Sequence, residues 1–409
     1  MPPSPSAPYF HRTLESTLER AARRFPAVVL TGPRQSGKTT LLRRLLGDRA
    51  GYRSLETPDV RLAAAEDPRG FLDAHPPPVI LDEISCAPGL LPYIKDRIDE
   101  RREVPGQYFL TGSQNLLLLE AVTESLAGRA AVLRLLPLTG REVDGVPGAP
   151  LPWERGGETI APRGGAPVGE RFLRGGFPDL WARPGEEEAL WHASYAATYL
   201  ERDVRLVRQV GDLGMFQSFL RLLAARSGQL LNMAALARDL GISLHTARAW
   251  LSVLEATFQV VVVRPWHGNV GKRLVKSPKV YFTDTGTLCW LTGLRDPLHA
   301  MQGPLGGVLL ETAVVGEVWK SLLHRGEEPR LHFWRTGTGV EVDLLVEVEG
   351  ALVPVEVKLT STPRPAMGEA LRSLRRDLGA AVRPGFVVHA GDGELPLGEG
   401  VRAIPFRGL

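Results

Sequence analysis

The chain has 409 residues, more than one ordinary hydrophobic core contains, so its length predicts two or three domains. Its 44% apolar and 23% charged residues are typical of a globular protein, and a net charge of only +3 excludes a chain that binds polyanions along its whole length. A nucleic-acid surface would therefore have to be a local patch.

Cysteine usage and hydropathy indicate the cellular compartment of the protein. Cys86 and Cys289 are far apart and have no partners at metal-ligand spacing, which argues against a zinc ribbon or a disulfide scaffold and fits a reducing environment. No apolar run reaches membrane-spanning length, and the start MPPSPSAPYF lacks the basic head and apolar stretch of a signal peptide. We expect a cytoplasmic protein.

The first part of the chain predicts an α/β domain over residues 1–150. Helical spacing of apolar residues predicts an amphipathic helix over 11–25, followed by a short apolar strand in AVVLTG. A helix in TTLLRRLLG should stop at Gly47. Further buried strands are predicted in PPPVILDEI and GQYFLTGSQ. Apolar strands separated by helices are typical of a parallel sheet.

Two shifts in composition divide the remainder. Residues 144–168 are rich in Gly, Pro and Ala and predict a long loop or linker, and a mostly helical stretch follows over 169–262. A second Pro/Gly boundary is predicted at 296–307, which gives a middle domain over 169–300 and a C-terminal α/β domain over 301–409. In the latter, EVDLLVEVEG and ALVPVEVKL predict two strands joined by a tight turn at Gly350.

A phosphate-binding motif follows the first strand. The segment matches G-x-x-x-x-G-K-[ST] and has the required strand before it and helix after it; its residues are Gly32, Pro33, Arg34, Gln35, Ser36, Gly37, Lys38 and Thr39, with Thr40 next on the helix. Glycines let backbone N–H groups curl around phosphates, and the helix N-terminus adds positive potential. We expect Lys38 to reach the β- and γ-phosphates of ATP and the Thr39 hydroxyl to bind Mg²⁺.

Polar residues end the next two apolar strands. Asp82 is placed to hold Mg²⁺ through water, and Glu83 is the candidate general base for the attacking water, although two adjacent acids also occur in plain solvated turns. The third strand ends near Ser113 and Gln114, either of which could contact the γ-phosphate or orient the water. A turn-forming serine is the alternative for Ser113.

Five segments together resemble a widespread bacterial and archaeal family of AAA-type ATP-binding proteins with a C-terminal domain of unknown function: TGPRQSGKTTLL, VILDEI, FLTGSQ, LAGRAAVLRLLPLTGRE and RGGFPDLW. The resemblance covers nearly the whole chain, and the motifs occur in the family's order. It implies an ASCE-type ATPase fold with Walker A, Walker B and sensor-1 positions. It implies no physiological substrate.

The same resemblance implies a homo-oligomer, because AAA-type ATPases usually complete the site with an arginine from a neighbouring subunit. Arg129 is the first candidate for this arginine finger, and Arg134 and Arg141 follow it. The alternative for each is a salt-bridging surface arginine. Arg174 and Asp179 also match a family motif, without a role that the sequence explains.

The segment from Leu230 to His267 has the organisation of a helix-turn-helix followed by strands, and the resemblance implies a winged helix. Asn232 and Ser243 are positioned as helix caps and Gly241 as the turn. Strands at 260–263 and 279–284 would form the wing, joined by a loop that contains Lys272, Arg273 and Lys276. The exposed face of the second helix would offer DNA His245, Thr246 and Arg248, or the module would serve only for packing.

The C-terminal strands resemble the restriction-endonuclease-like superfamily. Asp343 lies on one strand, and strand alternation puts Glu356 and Lys358 on one face of the next. Asp343 and Glu356 could hold a divalent metal ion, with Lys358 to orient water and Glu311, on a preceding amphipathic helix, as a further acid. A basic run could meet phosphate: Arg372, Arg375 and Arg376. Alternatively the fold is inherited without cleavage of DNA.

These patterns predict an ATPase coupled to DNA binding or processing, with ATP, Mg²⁺ and DNA as ligands. Two other functions remain open. One is a nucleotide-controlled signalling or defence switch. The other is an ATPase that remodels a protein partner and uses its C-terminal modules only as binding surfaces.

Overall fold

The computed structural model describes residues 8–112, 122, 124–154, 165–183, 187–200, 213–266 and 277–409. Within these ranges the chain forms two β-sheets with helices packed around them. None of the helices in the described ranges is long and apolar enough to cross a membrane.

The first sheet has five parallel strands in the order β2-β3-β4-β1-β5. Their bounds are Ala27–Thr31 (β1), Gly51–Ser54 (β2), Val79–Asp82 (β3), Tyr108–Gly112 (β4) and Ala130–Arg134 (β5). The predicted parallel sheet is confirmed, and its three central strands are the ones that the sequence indicated. The edge strands β2 and β5 were not predicted, because edge strands are partly exposed and carry no continuous apolar run.

Short helices cover both faces of this sheet, and each face has its own cluster of buried apolar side chains. They are α1 (Leu14–Ala22), α2 (Lys38–Leu46), α3 (Pro58–Glu66), α4 (Pro68–Ala74) and α5 (Leu91–Glu100). The helix α2 stops at Gly47, as predicted, and Gly47 has the positive φ of 52° that favours glycine.

A short helix, α6 (Gly140–Val143), ends the first region. The middle region is mostly helical in its described parts. Its helices are α7 (Val168–Arg174), α8 (Pro178–Ala182), α9 (Glu188–Tyr195), α10 (Leu213–Ala224), α11 (Met233–Asp239), α12 (Leu244–Ala256), α13 (Thr285–Leu291) and α14 (Pro297–Gln302). The last of these lies inside 296–307, so the predicted Pro/Gly boundary is partly helical. Pro297 is at the first helical position, where its missing N–H costs nothing.

The second sheet has eight strands in the order β12-β13-β11-β10-β9-β8-β6-β7. Their bounds are Val260–Pro265 (β6), Lys279–Phe282 (β7), Leu331–Arg335 (β8), Glu341–Val348 (β9), Ala351–Lys358 (β10), Gly385–His389 (β11), Leu395–Pro396 (β12) and Val401–Pro405 (β13). The antiparallel pair β6–β7 lies at the two segments where the sequence predicted strands, and β6 also pairs with β8. One sheet therefore runs from the middle region into the C-terminal region.

Two further helices pack on this sheet, α15 (Gly306–His324) and α16 (Glu369–Leu378). The predicted amphipathic character of α15 is wrong, because this helix is buried on nearly every side. It lies between the two sheets and contacts β5 of the first and β7 and β10 of the second. A helix that is enclosed in this way has no wide polar face.

Candidate active site

The phosphate loop connects β1 to α2 at the carboxyl edge of the first sheet. Gly32 has a φ of 148°, and a Cβ at this position would lie 2.0 Å from the carbonyl oxygen of Leu135. Gly37 has a φ of 93° and caps α2. Only glycine is tolerated at Gly32, and the helix N-terminus that begins at Lys38 supplies the positive end of a dipole.

Lys38 is 7% exposed, and its ammonium is directed back toward the loop. Its Nζ donates to the carbonyl oxygens of Gly32 and Pro33 at 2.9 Å each. The positive charge is thus held by neutral backbone groups beside the N-terminus of α2. This arrangement suits the recognition of a phosphate.

Asp82 ends β3 and accepts hydrogen bonds from three hydroxyl groups. Its Oδ1 is 2.7 Å from Thr39 Oγ1 and 2.6 Å from Thr111 Oγ1, and its Oδ2 is 3.0 Å from the Tyr52 hydroxyl. Burial, and then the Asp82 carboxylate, raises the pKa of Tyr52 to about 12. Neutral donors orient this carboxylate without neutralising it, so Thr39 and Asp82 fit the hard, oxygen-only ligand set of Mg²⁺.

Glu83 follows in the left-handed region, with a φ of 54° that is uncommon for a residue with a side chain. Its backbone N–H donates to Thr111 Oγ1 at 3.0 Å, and its carboxylate accepts from Ser85 Oγ at 3.2 Å. The turn directs Glu83 into the same cavity as Lys38 and Asp82. Strained backbone of this kind clusters at functional sites.

Thr111 and Tyr52 were missed by the sequence reasoning. Thr111 is fully buried in β4, which lies between β1 and β3 in the sheet. Its hydroxyl donates to the Asp82 carboxylate and accepts from the Glu83 N–H. A polar residue near the end of an apolar strand was a usable signal for it, but Tyr52 lies in an edge strand that carries no motif. The predicted tip residues Ser113 and Gln114 lie outside the described residues.

A cavity of about 500 Å³ opens at this edge of the sheet, within the range of small-molecule sites. The predicted loop and helix residues Arg34, Gln35, Gly37, Lys38, Thr39 and Thr40 line it together with Asp82 and Glu83. Residues from elsewhere in the chain, among them residues 8–10, Glu56, Leu138 and the helix α8 with Asp179, complete the wall. Asp179, which the sequence left without a role, therefore faces this cavity. Arg174 lies over the Trp181 ring and pairs with Glu188.

A buried ion network lies behind the loop. The Arg12 guanidinium donates to the carbonyl oxygens of Ser36, at 2.9 Å, and Leu136, at 2.6 Å, and its Nε is 3.2 Å from Glu142 Oε2. Glu142 Oε1 accepts from His324 Nδ1 at 3.0 Å, and His324 Nε2 accepts from the Leu136 N–H at 3.0 Å. Helix α15 is thereby joined to the P-loop through fully buried groups.

The three arginine-finger candidates lie away from this cavity as the described residues form it. Arg129 immediately precedes β5 and so lies at the amino ends of the parallel strands, opposite the carboxyl ends where the cavity opens. Its guanidinium makes two hydrogen bonds to the Asp99 carboxylate, of 2.6 and 2.8 Å. Arg134 pairs with Glu328, and the buried Arg141 donates to the Pro150 carbonyl. A role for any of them in a neighbouring subunit's site stays a prediction.

The two helices of the predicted helix-turn-helix, α11 and α12, have side-chain caps. The Asn232 side chain accepts from the N–H of Ala235, the Ser243 hydroxyl accepts from that of Thr246, and Gly241 makes the turn with a φ of 67°. On α12 the side chains of His245 and Arg248 are exposed. The predicted basic wing residues Lys272, Arg273 and Lys276 lie outside the described residues.

The C-terminal acids meet on the second sheet, but a lysine lies among them. Asp343 Oδ2 accepts from the Val357 N–H at 2.9 Å, and Glu356 Oε1 accepts from Lys358 Nζ at 2.6 Å. Glu311 Oε1, on α15, accepts from Lys279 Nζ at 2.9 Å. Among the residues that the structure describes, no group of three or more His, Cys, Asp or Glu side chains is arranged to hold a metal ion.

Electrostatics link these acids. Burial, and next the Asp343 carboxylate, raises the pKa of Glu311 to about 7 and that of Glu356 to about 8. Burial also raises the pKa of Asp343 above its ordinary value. Such shifts are typical of carboxylates that share a poorly solvated space.

Comparisons with known proteins agree with this geometry in the first sheet. Residues 24–143 match the family described as AAA domain, and residues 167–298 and 306–409 match two domains of unknown function, DUF8612 and DUF4143. The segment of the first match contains the phosphate loop after β1 and the strand β3 that ends in Asp82. In the parallel sheet, β4 lies between these two strands. The chain is a P-loop ATPase of the AAA type.

Relatives define its family. The chain is 34% identical over 396 residues to the uncharacterized proteins Rv2008c of Mycobacterium tuberculosis and Mb2031c of Mycobacterium bovis, covering 96% of this chain and 83% of each relative. It belongs to the same family as these two mycobacterial proteins.

Two solved structures are similar in part. The Walker-type ATPase paby2304 of Pyrococcus abyssi is 18% identical, with a TM-score of 0.42 over 69% of this chain and 96% of that chain. The RuvB Holliday junction branch migration motor of Thermotoga maritima is 15% identical, with a TM-score of 0.28 over 61% of this chain and 88% of that chain.

Proposed function

We propose that the chain binds ATP with Mg²⁺ in the cavity of the first sheet and hydrolyses its γ-phosphate. The observation that carries this proposal is the convergence of Lys38, Thr39, Asp82 and Glu83 on one cavity, with Asp82 oriented by three hydroxyl groups. That geometry keeps one buried negative charge available for a divalent ion next to a phosphate-binding loop.

Each residue has a separate role in this proposal. When ATP binds, the Lys38 ammonium exchanges its hydrogen bonds to the Gly32 and Pro33 carbonyls for contacts with the β- and γ-phosphates. The backbone N–H groups of the loop bind oxygens of the same phosphates. Thr39 and Asp82 hold the metal ion, which when bound neutralises charge on the β- and γ-phosphate oxygens. Glu83 accepts a proton from the attacking water, and Thr111 fixes the turn that aims it.

The experiment is a comparison of nucleotide binding and turnover in one protein. ATP affinity should depend on Mg²⁺, and the steady-state release of phosphate should be lost when Glu83 is replaced by Gln while binding of ATP persists. Undiminished turnover in that variant would contradict the assignment of Glu83 and leave the binding site in place.

We further propose that ATP turnover is coupled to DNA binding. The supporting observation is the capped pair α11 and α12, which leaves His245 and Arg248 exposed on the second helix. The test is ATPase rate with and without duplex DNA, together with DNA affinity at two salt concentrations, since phosphate contacts give a steep salt dependence. A rate and an affinity that ignore DNA would favour a signalling switch or a protein-remodelling ATPase.

A further inference from the structure

A buried lysine from the middle region lies in the acidic cluster of the second sheet. Lys279 is 3% exposed, and its Nζ is 2.9 Å from Glu311 Oε1 and 2.5 Å from Glu341 Oε1. Its ammonium also lies over the Phe333 ring, 5.5 Å from the centroid. The lysine belongs to β7, far along the chain from the strands that carry Asp343 and Glu356.

We propose that Lys279 is the resident cation of this cluster, in the place where a divalent metal ion would otherwise bind, and that the C-terminal unit therefore holds no catalytic metal. This inference goes beyond the ATPase proposal and concerns a different site.

Each acid of the cluster already gives an oxygen to a donor. Glu311 Oε1 accepts from both Lys279 and the Tyr281 hydroxyl, which is 2.6 Å away. Asp343 Oδ2 accepts from a backbone N–H, and Glu356 Oε1 accepts from Lys358. Glu356 Oε2, in contrast, is buried without a hydrogen-bond partner. A metal ion, which needs several oxygens at once, would have to compete with these donors for its ligands.

The charges lead to the same conclusion. Four carboxyl groups, those of Glu311, Glu341, Asp343 and Glu356, face three cations, because Arg335 also pairs with Glu341 at 2.9 Å and Lys358 pairs with Glu356. The raised pKa values of Glu311 and Glu356 keep the negative charge of this cluster below four. A divalent ion added to this cluster would bring an excess of positive charge into a poorly solvated space. It can enter with balanced charge only if an ammonium leaves.

The lysine is held in place by its strand. Lys279 pairs with Val263 in the β6–β7 ladder, and a bridge to Leu230 fixes its other side. The cation is therefore part of the sheet rather than the end of a mobile surface chain.

The test is binding of Mn²⁺ alone to the full chain, followed by electron paramagnetic resonance without nucleotide. All proteins carry Asp82→Asn, so that the P-loop site does not contribute. Protein with Lys279 should show no Mn²⁺ binding that depends on Asp343. Lys279→Met should gain one Mn²⁺ at about 1 mM or below, within the range of weak carboxylate sites, and lose it again when Asp343→Asn is added.

A matched control is available on α15. Lys320 is buried to a similar degree and also pairs with a carboxylate, Glu317, at 3.0 Å, but it lies against the Leu138 carbonyl instead of the acidic cluster. Lys320→Met should gain no Mn²⁺ site. A gain in both variants would mean that loss of any buried lysine creates unspecific binding, and it would overturn the proposal.

Two other results would also overturn it. One is a Mn²⁺ ion bound to the protein with Lys279 intact and lost on Asp343→Asn, with nicking of plasmid DNA as a second readout. The other is a folded Lys279→Met protein, verified by circular dichroism, that binds no Mn²⁺. If Lys279→Met does not fold, Mn²⁺ binding is still compared between the protein with Lys279 and its Asp343→Asn variant. Equal binding by the two shows that the lysine is the cation of the cluster, and binding that is lost in Asp343→Asn shows that a metal ion is.

Discussion

Each of the two sheets places a buried lysine near strand carboxylates, and the two lysines have different partners. Lys38 donates to the backbone carbonyls of Gly32 and Pro33, while the nearby Asp82 accepts from hydroxyls. Lys279 donates directly to the carboxylates of Glu311 and Glu341. Lys38 thus donates to neutral carbonyl groups and Asp82 accepts from neutral hydroxyl groups, whereas Lys279 contacts two carboxylates directly. The bonding partners of the acids, more than their number, decide whether a cluster can accept a metal ion.

The sharpest way to break this comparison is to remove one lysine from the phosphate loop and one from the second sheet. Lys38→Ala should lower ATP turnover by about 1,000-fold, since it removes a preorganised charge aimed at the transferring phosphate. The matched variant Lys358→Ala removes an ammonium from the second sheet and should leave turnover unchanged. Phosphate release under saturating ATP measures both. Equal losses in the two variants would show that the second sheet takes part in hydrolysis.

Removing the proposed general base should have the next largest effect. Glu83→Gln preserves shape but cannot accept a proton, so turnover should fall by about 100-fold while ATP affinity changes little. Glu56→Gln, at another carboxylate in the wall of the cavity, serves as the control. Single-turnover measurement with prebound ATP separates chemistry from binding. A normal single-turnover rate in Glu83→Gln would place the base at another residue.

A smaller effect should come from the hydroxyl that joins the two acids. Thr111→Val keeps the side-chain shape but removes the bonds to Asp82 and to the Glu83 N–H, so turnover should fall by about tenfold. Thr31→Val is a close control, because Thr31 is equally buried on the adjacent strand and its Oγ1 has no hydrogen-bond partner. A loss of activity of the same size in both would point to packing as the cause.

The smallest expected effect concerns pH. Burial lowers the pKa of His324 below 6.5, although the neighbouring Glu142 acts in the opposite direction. The unfolded chain therefore takes up a proton near pH 6.5 that the folded chain does not, and stability falls as the pH drops below that value. His324→Gln should reduce the loss of unfolding free energy between pH 6.5 and 5.5 by up to about 1 kcal/mol. Urea unfolding at the two pH values measures this, and an unchanged loss would contradict it.

The parts of the site that could be predicted from sequence are those that lie close together along the chain. Residues 32–39 and the pair Asp82 and Glu83 each occupy a short segment with a recognisable strand beside it. Tyr52, Arg12 and Lys279 could not be found in this way, because their roles depend on which distant strands or helices become neighbours. The acids Asp343 and Glu356 were correctly placed near each other on paired strands, yet their pattern gives no indication that β7 brings an ammonium among them.

The network of Arg12, Glu142 and His324 has a consequence for how this chain can be cut or recombined. A fragment that ends after residue 143 retains the P-loop, the acids and Glu142, but it loses His324, which together with the Thr13 N–H donates to Oε1 of this buried carboxylate. Removing a hydrogen-bond donor from a buried charged group in this way costs about 1–3 kcal/mol, a sizeable part of the stability of an ordinary domain. The shortest N-terminal unit that can be expected to survive excision or transfer to another protein therefore includes α15, although this helix lies far from α6 along the chain. The ATPase domain is contiguous in sequence, but the buried polar network behind its phosphate loop includes a residue of the C-terminal half.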